Sequence, residues 1–279
     1  MGLKAPPGSL DMDTFRGALT NSAALDLRRS TFIDVYGLVG CACQAESLAA
    51  SGHPPAFHGP DSDDVRNYLS RMHLQETLEA CGASIMGGAL PAVKEHAGPD
   101  RVLPLQTFRS IGDYEQLANL VWERLEGHVG PEVLSALYET LQEVGANVIE
   151  HSQATRGGYI AAQVYRRDTP NEFVLLAIGD CGVGIRQSLS VRYPTASDGE
   201  ALGLAVSPDI SASGEPGRGQ GLPSTAKLVT DLLGRVVVHS GGATIVCRQE
   251  RRTVVTTSRI EGTLVGARIP CRPGEERAK

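Results

Sequence analysis

Residues 143–151 read EVGANVIEH, and Glu143, Asn147 and His151 recur there at intervals of four. That interval lines side chains along one face of an α-helix. Upstream the pattern continues to Glu132, with Val133, Leu134, Leu137, Leu141, Val144, Val148 and Ile149 making an apolar face. Gly130–Pro131 breaks the chain just before it. The spacing therefore predicts a long amphipathic helix over 132–151 that carries a polar stripe. Such a stripe on an otherwise apolar helix is costly unless it borders water or a ligand.

The chemistry of the stripe narrows its use. Mg²⁺ takes oxygen ligands and keeps several waters, so the amide oxygen of Asn147 plus phosphate oxygens would anchor it. Glu143, one turn earlier, is placed to orient or deprotonate a nucleophile. Alone, the stripe reads equally as a solvated helix surface.

Downstream, FVLLAIGD (173–180) is a strand-like run that ends in Asp180, followed by Gly182 and Gly184. A carboxylate at a strand end can accept from an exocyclic amine, and glycines after it let backbone approach a flat ring. Alone, this is a strand-exit turn. Farther on, Gly217-Arg218-Gly219-Gln220-Gly221-Leu222 precedes a helix expected from about Pro223 to Leu233. Glycines permit tight curvature, and a helix N-terminus favours anions. No GK[ST] follows, and no GxGxxG spacing occurs, so neither a P-loop nor a dinucleotide fingerprint is present. Alone, this segment is a flexible linker.

The other elements around them are a helix over 114–128, strands at Tyr159–Tyr165 and Phe173–Ile178, and strands near 235–239, 243–249, 252–258 and 263–269. Hairpin spacing of this kind implies a mixed or antiparallel sheet with helices on one face. In the N-terminal third, Thr31–Val35 is strand-like, and a helix carries Leu38, Val39, Ala42, Ala45, Leu48 and Ala49 up to Gly52. Ser62 is a candidate cap for a second helix through Val65, Tyr68, Leu69 and Met72, and residues 74–80 read as a third. Residues 86–104 hold Gly87, Gly88, Pro91, Gly98, Pro99 and Pro104, which places a boundary there or just after it. The expected organisation is a tail at 1–12, a small α/β module at 13–105, a larger domain at 106–272 and a tail at 273–279.

Bulk properties set limits. The 279 residues allow one large domain or two modest ones, and 41% hydrophobic content suffices for a core. A net charge of -6, with basic pairs no longer than Arg28–Arg29 and Arg251–Arg252, argues against a nucleic-acid surface. Cys41, Cys43, Cys81, Cys181, Cys247 and Cys271 show no CxxC spacing and read as reduced, buried thiols. Residues 1–10 lack a signal-peptide pattern, and no run of apolar residues is long enough for a membrane span. The expectation is a cytoplasmic protein without membrane contact.

Taken together, the order and separations of the three segments resemble the N, G1 and G2 boxes of the GHKL (Bergerat-fold) ATPases and kinases. The resemblance covers about 115–271 and includes Gly262-Thr263, which is similar to the GT of that fold's closing strand. It implies a C-terminal α/β sandwich, a mixed sheet with helices on one face, binding Mg-ATP. Under it, Asn147 is the Mg²⁺ ligand and Glu143 the general base. Asp180 accepts from adenine N6, with Gly182, Gly184 and Ile185 shaping the base pocket. Residues 186–216 are the lid, and Gly217, Arg218, Gly219, Gln220, Gly221 and Leu222 form its phosphate-side hinge. Thr263 supports the adenine contact. His151 has either a packing or a phosphate-side role, and Lys227 is a solvated surface residue.

Two departures narrow the family. The sequence before the domain shows no phosphoacceptor hairpin of a histidine kinase, and no following domain with a catalytic lysine is expected. What remains resembles the compact anti-sigma-factor kinases and related free-standing ATPases. Phe32-Ile33-Asp34-Val35-Tyr36-Gly37-Leu38 resembles the FIDSSGL region of STAS domains, with Val35 and Tyr36 where the phosphorylated serine would stand. The resemblances imply a regulatory protein with a protein partner. It would transfer the γ-phosphate to a partner Ser or Thr, or hydrolyse ATP to switch binding. A homodimer is among the assemblies they allow. Two alternatives stay open: a non-catalytic ATP-dependent interaction module, and small-molecule phosphoryl or adenylyl chemistry on the same fold.

Overall fold

The computed structural model describes residues 8–15, 24–53, 55–92, 102–208, 221–249 and 251–273. The chain opens with β1 (Ser9–Leu10), β2 (Ala24–Asp26), β3 (Phe32–Ile33), α1 (Val35–Ala50), β4 (Ala56–His58), α2 (Asp63–Arg71), α3 (Leu74–Ala80) and β5 (Ser84–Met86). It continues with β6 (Val102–Phe108), α4 (Ile111–Leu125), α5 (Pro131–His151), β7 (Gly158–Tyr165) and β8 (Phe173–Asp180). Then follow α6 (Gly184–Leu189), α7 (Asp198–Ala205), α8 (Gly221–Asp231), β9 (Arg235–Arg248) and β10 (Arg251–Pro270).

The N-terminal elements form a small α/β unit. Its sheet is parallel, in the order β2-β4-β5, with α1 in the connection between the first two strands and α2 and α3 in the connection between the second two, since parallel neighbours need a long crossover. A separate parallel pair joins β1 to β3. Asp34 caps α1: its carboxylate accepts from Gly37 N–H at 2.9 Å and from Met12 N–H at 3.1 Å. Ser62 does occupy the cap position of α2, but its side chain makes no capping bond. The carboxylates of Asp63 and Asp64 stabilise that helix start instead.

The larger sheet has the order β6-β7-β8-β10-β9. Every pairing is antiparallel, which corrects the expectation of a mixed sheet. The reason lies in the connections. β8 follows β7 and β10 follows β9 without an intervening helix, and such connections join neighbouring strands antiparallel; α4 and α5 lie between β6 and β7. The four strands expected after residue 235 are two long ones, bent at register shifts between Thr256, Ile260 and Thr263.

Helices cover both faces of this sheet, not one. Along β8, Val174, Leu176 and Ile178 join a core with α4, α5 and α8, while Leu175 and Ala177 join a second core with α1. Burial on both sides explains why FVLLAIGD is apolar throughout rather than alternating. The second core combines Tyr36, Leu38 and Val39 of the N-terminal unit with Tyr159, Val237 and Leu264 of the sheet. β6 spans the boundary expected at 105/106, and all of it belongs to the large sheet.

Candidate functional site

Helix α5 begins with Pro131 at its first turn, where a missing N–H costs nothing, and runs to His151. Val133, Leu134, Leu137, Leu141, Val144 and Val148 are buried as the periodicity requires. Gly145 is also buried: a Cβ there would lie 3.1 Å from the Tyr114 ring, so glycine lets α4 and α5 pack closely. The polar stripe lies outside this core, with Glu143 exposed and Asn147 and His151 half-buried. Desolvation, then the neighbouring Glu139 carboxylate, pushes the Glu143 carboxyl above its ordinary range. His151 Nε2 lies 3.9 Å from Glu150 Oε2.

Asp180 closes β8 and is 4% exposed. Its register partners are Gly158 on β7 and Thr263 on β10. The carboxylate accepts from Gly182 N–H at 2.8 Å, and the Thr263 N–H also faces it. Burial outweighs both donors and pushes this carboxyl up to about 7.

The loop after Asp180 is clamped by the end of α5. Val183 N–H donates to Ser152 O at 2.8 Å, and a Cβ on Gly182 would stand 2.0 Å from that same oxygen. Gly184 sits at φ +74, in the left-handed region. Ser240 ties the loop to the opposite strands. Its hydroxyl accepts from Ile185 N–H at 3.0 Å and donates to Gly262 O at 2.8 Å. Thr263 Oγ1 lies 3.4 Å from the Ser240 hydroxyl. Gly262, at φ +74, passes so close to Asp180 that a Cβ would be 2.1 Å from its carbonyl oxygen.

The third segment meets the stripe at the start of α8. A Cβ on Gly221 would lie 3.0 Å from Asn147 Nδ2 and 3.1 Å from Glu143 Oε2. Leu222 and Ile185 both pack against the core under α5. Gly217, Arg218, Gly219 and Gln220 fall outside the described residues. Of the stretch expected as a lid, the described part contains most of α6 and all of α7. Ser197 caps α7, and Ala201 and Leu202 anchor it in the core. Asp198 accepts from Gly242 N–H at 2.8 Å and lies 3.5 Å from Arg259 and 3.7 Å from Arg186.

α5 is therefore the hub. Glu143 and Asn147 face the start of α8, and the end of α5 holds the Asp180–Ile185 loop. Sequence reasoning missed Ser152 and Ser240, which resemble ordinary strand and helix-end residues; Gly262 was noted with Thr263, but not its close approach to Asp180. Lys227 is an exposed side chain that pairs with Asp231 one turn on. All six cysteines are free and only Cys181 is more than slightly exposed. Burial pushes the Cys41 and Cys181 thiols to about 12, which keeps them protonated and unreactive.

Among the described residues no three His, Cys, Asp or Glu side chains converge as a metal site. A cation here would draw one oxygen from Asn147 and the rest from a phosphate and water. No helix among the described residues is long and apolar enough to cross a membrane. Comparison with protein-family models finds no match, and comparison with curated proteins finds none either.

Proposed function

We propose that this chain is an Mg-ATP-binding regulatory protein of the GHKL type. The observation that carries the reading is the meeting of three sequence-distant segments around α5: Gly221 against Glu143 and Asn147, and the Asp180–Ile185 loop against Ser152. Asp180 fits the adenine end. A buried carboxyl at a strand terminus, fixed by Gly182 N–H, offers an acceptor to an exocyclic amine, and hydrogen-bond pairing of that kind discriminates strongly in a buried site.

Asn147 would hold Mg²⁺ at the phosphate end, and the ion would neutralise charge on the β- and γ-oxygens. Glu143, with its carboxyl pushed upward, accepts a proton more readily than an ordinary glutamate. Its exposure leaves room for a partner hydroxyl or water beside it. The favoured reaction is transfer of the γ-phosphate to a Ser or Thr of a protein partner, or ATP hydrolysis that switches partner binding. The N-terminal unit resembles STAS modules, but Val35 and Tyr36 are 0% and 1% exposed, so a phospho-switch at those positions has no accessible acceptor.

Titration with a fluorescent ATP analogue tests the reading. Mg²⁺-dependent binding is expected for the wild type, cation-independent residual binding for Asn147→Ala, and loss of adenine preference for Asp180→Ala. No binding, or wild-type binding indifferent to Mg²⁺, would overturn it. Glu143→Gln separates turnover from occupancy: affinity should persist while phosphate release or transfer stops. Equal, near-zero turnover in both proteins would favour a non-catalytic ATP switch.

A further inference from the structure

The outer side of α8 and the tip of the β9–β10 hairpin enclose a groove of about 1120 Å³, larger than the roughly 300–1,000 Å³ typical of small-molecule pockets. Its described lining carries four cations, Lys227, Arg248, Arg251 and Arg252, and one carboxylate, Asp231; Lys227 engages Asp231, and Arg248 lies 4.0 Å from Asp13 beside the groove. Pro208, Pro223 and Leu233 give it apolar surface, and Leu233 is 57% exposed. This concentration of positive charge stands on a chain whose net charge is -6.

The hairpin register sharpens the point. Arg251 pairs directly with Arg248 across the strands. Like charges at opposed positions are destabilising; Asp13, 4.0 Å from Arg248, offsets part of that repulsion, and an anion at Arg251 and Arg252 offsets more. Among the described residues no aromatic side chain lines the groove, so they offer no platform for stacking bases. Size, apolar surface and cationic rim all suit a peptide segment in which carboxylates flank apolar side chains.

We propose that this groove docks an acidic segment of a protein partner, with the Arg248–Arg251–Arg252 cluster holding its carboxylates and the Pro223–Leu233 surface taking its apolar side chains. The assignment names the partner chemistry for the regulatory reading above and rests on that reading for its purpose. α8 connects the two sites: it starts at Gly221, against Glu143 and Asn147, and its outer side lines the groove. An occupant of the groove thus touches the helix that borders the phosphate end.

The test uses the full chain and fluorescence anisotropy of a fluorescein-labelled synthetic peptide alternating Glu and Leu. The wild type should bind it, more weakly as salt rises. The double variant Arg251→Glu, Arg252→Glu should lose at least about tenfold in affinity, the size of one charge-assisted hydrogen bond. Both positions are exposed, so thermal melting and ATP-analogue binding should match the wild type. Absence of wild-type binding, binding that survives charge reversal, or tighter binding of an oligothymidylate than of the peptide would overturn the proposal. Failure of the nucleotide reading is distinguishable, because it removes ATP-analogue binding and leaves peptide binding intact.

Discussion

Asp180→Asn should change how stability depends on pH, and the size follows from the site. In the unfolded chain this carboxyl titrates near 3.8; folded and buried, it titrates at about 7. The folded protein therefore holds a proton that the unfolded chain releases throughout that window. Stability from this group is fully present below 3.8 and is lost as pH rises to about 7. At about 1.4 kcal/mol per pH unit, the loss is on the order of 4 kcal/mol at pH 8. Asparagine keeps the shape and an oxygen for Gly182 N–H but does not titrate. Urea unfolding of both proteins at pH 4.5 and pH 8 measures the difference. The variant should gain stability relative to the wild type as pH rises. Parallel stability–pH curves for the two proteins would refute the burial argument, since nothing else at this position titrates.

Four further substitutions probe the surroundings. Asp34→Asn should lower stability by roughly 1–3 kcal/mol in chemical denaturation, because one of the two oxygens that accept from Met12 and Gly37 becomes a donor facing a donor. Gly182→Ala should cost roughly 1–3 kcal/mol and weaken ATP-analogue binding, since its Cβ would sit 2.0 Å from Ser152 O and force apart the bond from Val183. Gly203→Ala is the contrasting case: it lies inside α7 with open space around it, so the melting temperature should rise, by about 0.5–1 kcal/mol of stability. Tyr159→Phe removes the hydroxyl that donates to buried Glu46 at 2.7 Å, and should destabilise by roughly 1–3 kcal/mol without altering the Asp180 loop.

Much of the site was readable because it depends on short periodic patterns. The four-residue interval of Glu143, Asn147 and His151 determines a shared helical face wherever the helix lies. Asp180 at the end of an apolar run, with glycines behind it, likewise announces a strand end with a tight exit. The contacts made by Ser152, Ser240 and Gly262 were not readable. Each joins positions far apart in the chain, such as Ile185 with Ser240, and no local pattern marks which of many serines will do so.

The number of layers shows the same division. Apolar content on both sides of β8 was visible, but the identity of the second cover was not. α1 has apolar and small residues nearly all round, so its own pattern does not name its partner. Residue spacing alone was enough for the main helices, for β7 and β8 and for the polar stripe, because local backbone geometry converts spacing into faces. It took the packed chain to set α1 on the second face, to pair every strand of the large sheet antiparallel, and to bring Gly221 and the loop after Asp180 against α5 and its end. Those outcomes depend on which apolar surfaces exclude water together, a property of the whole chain rather than of any stretch of it.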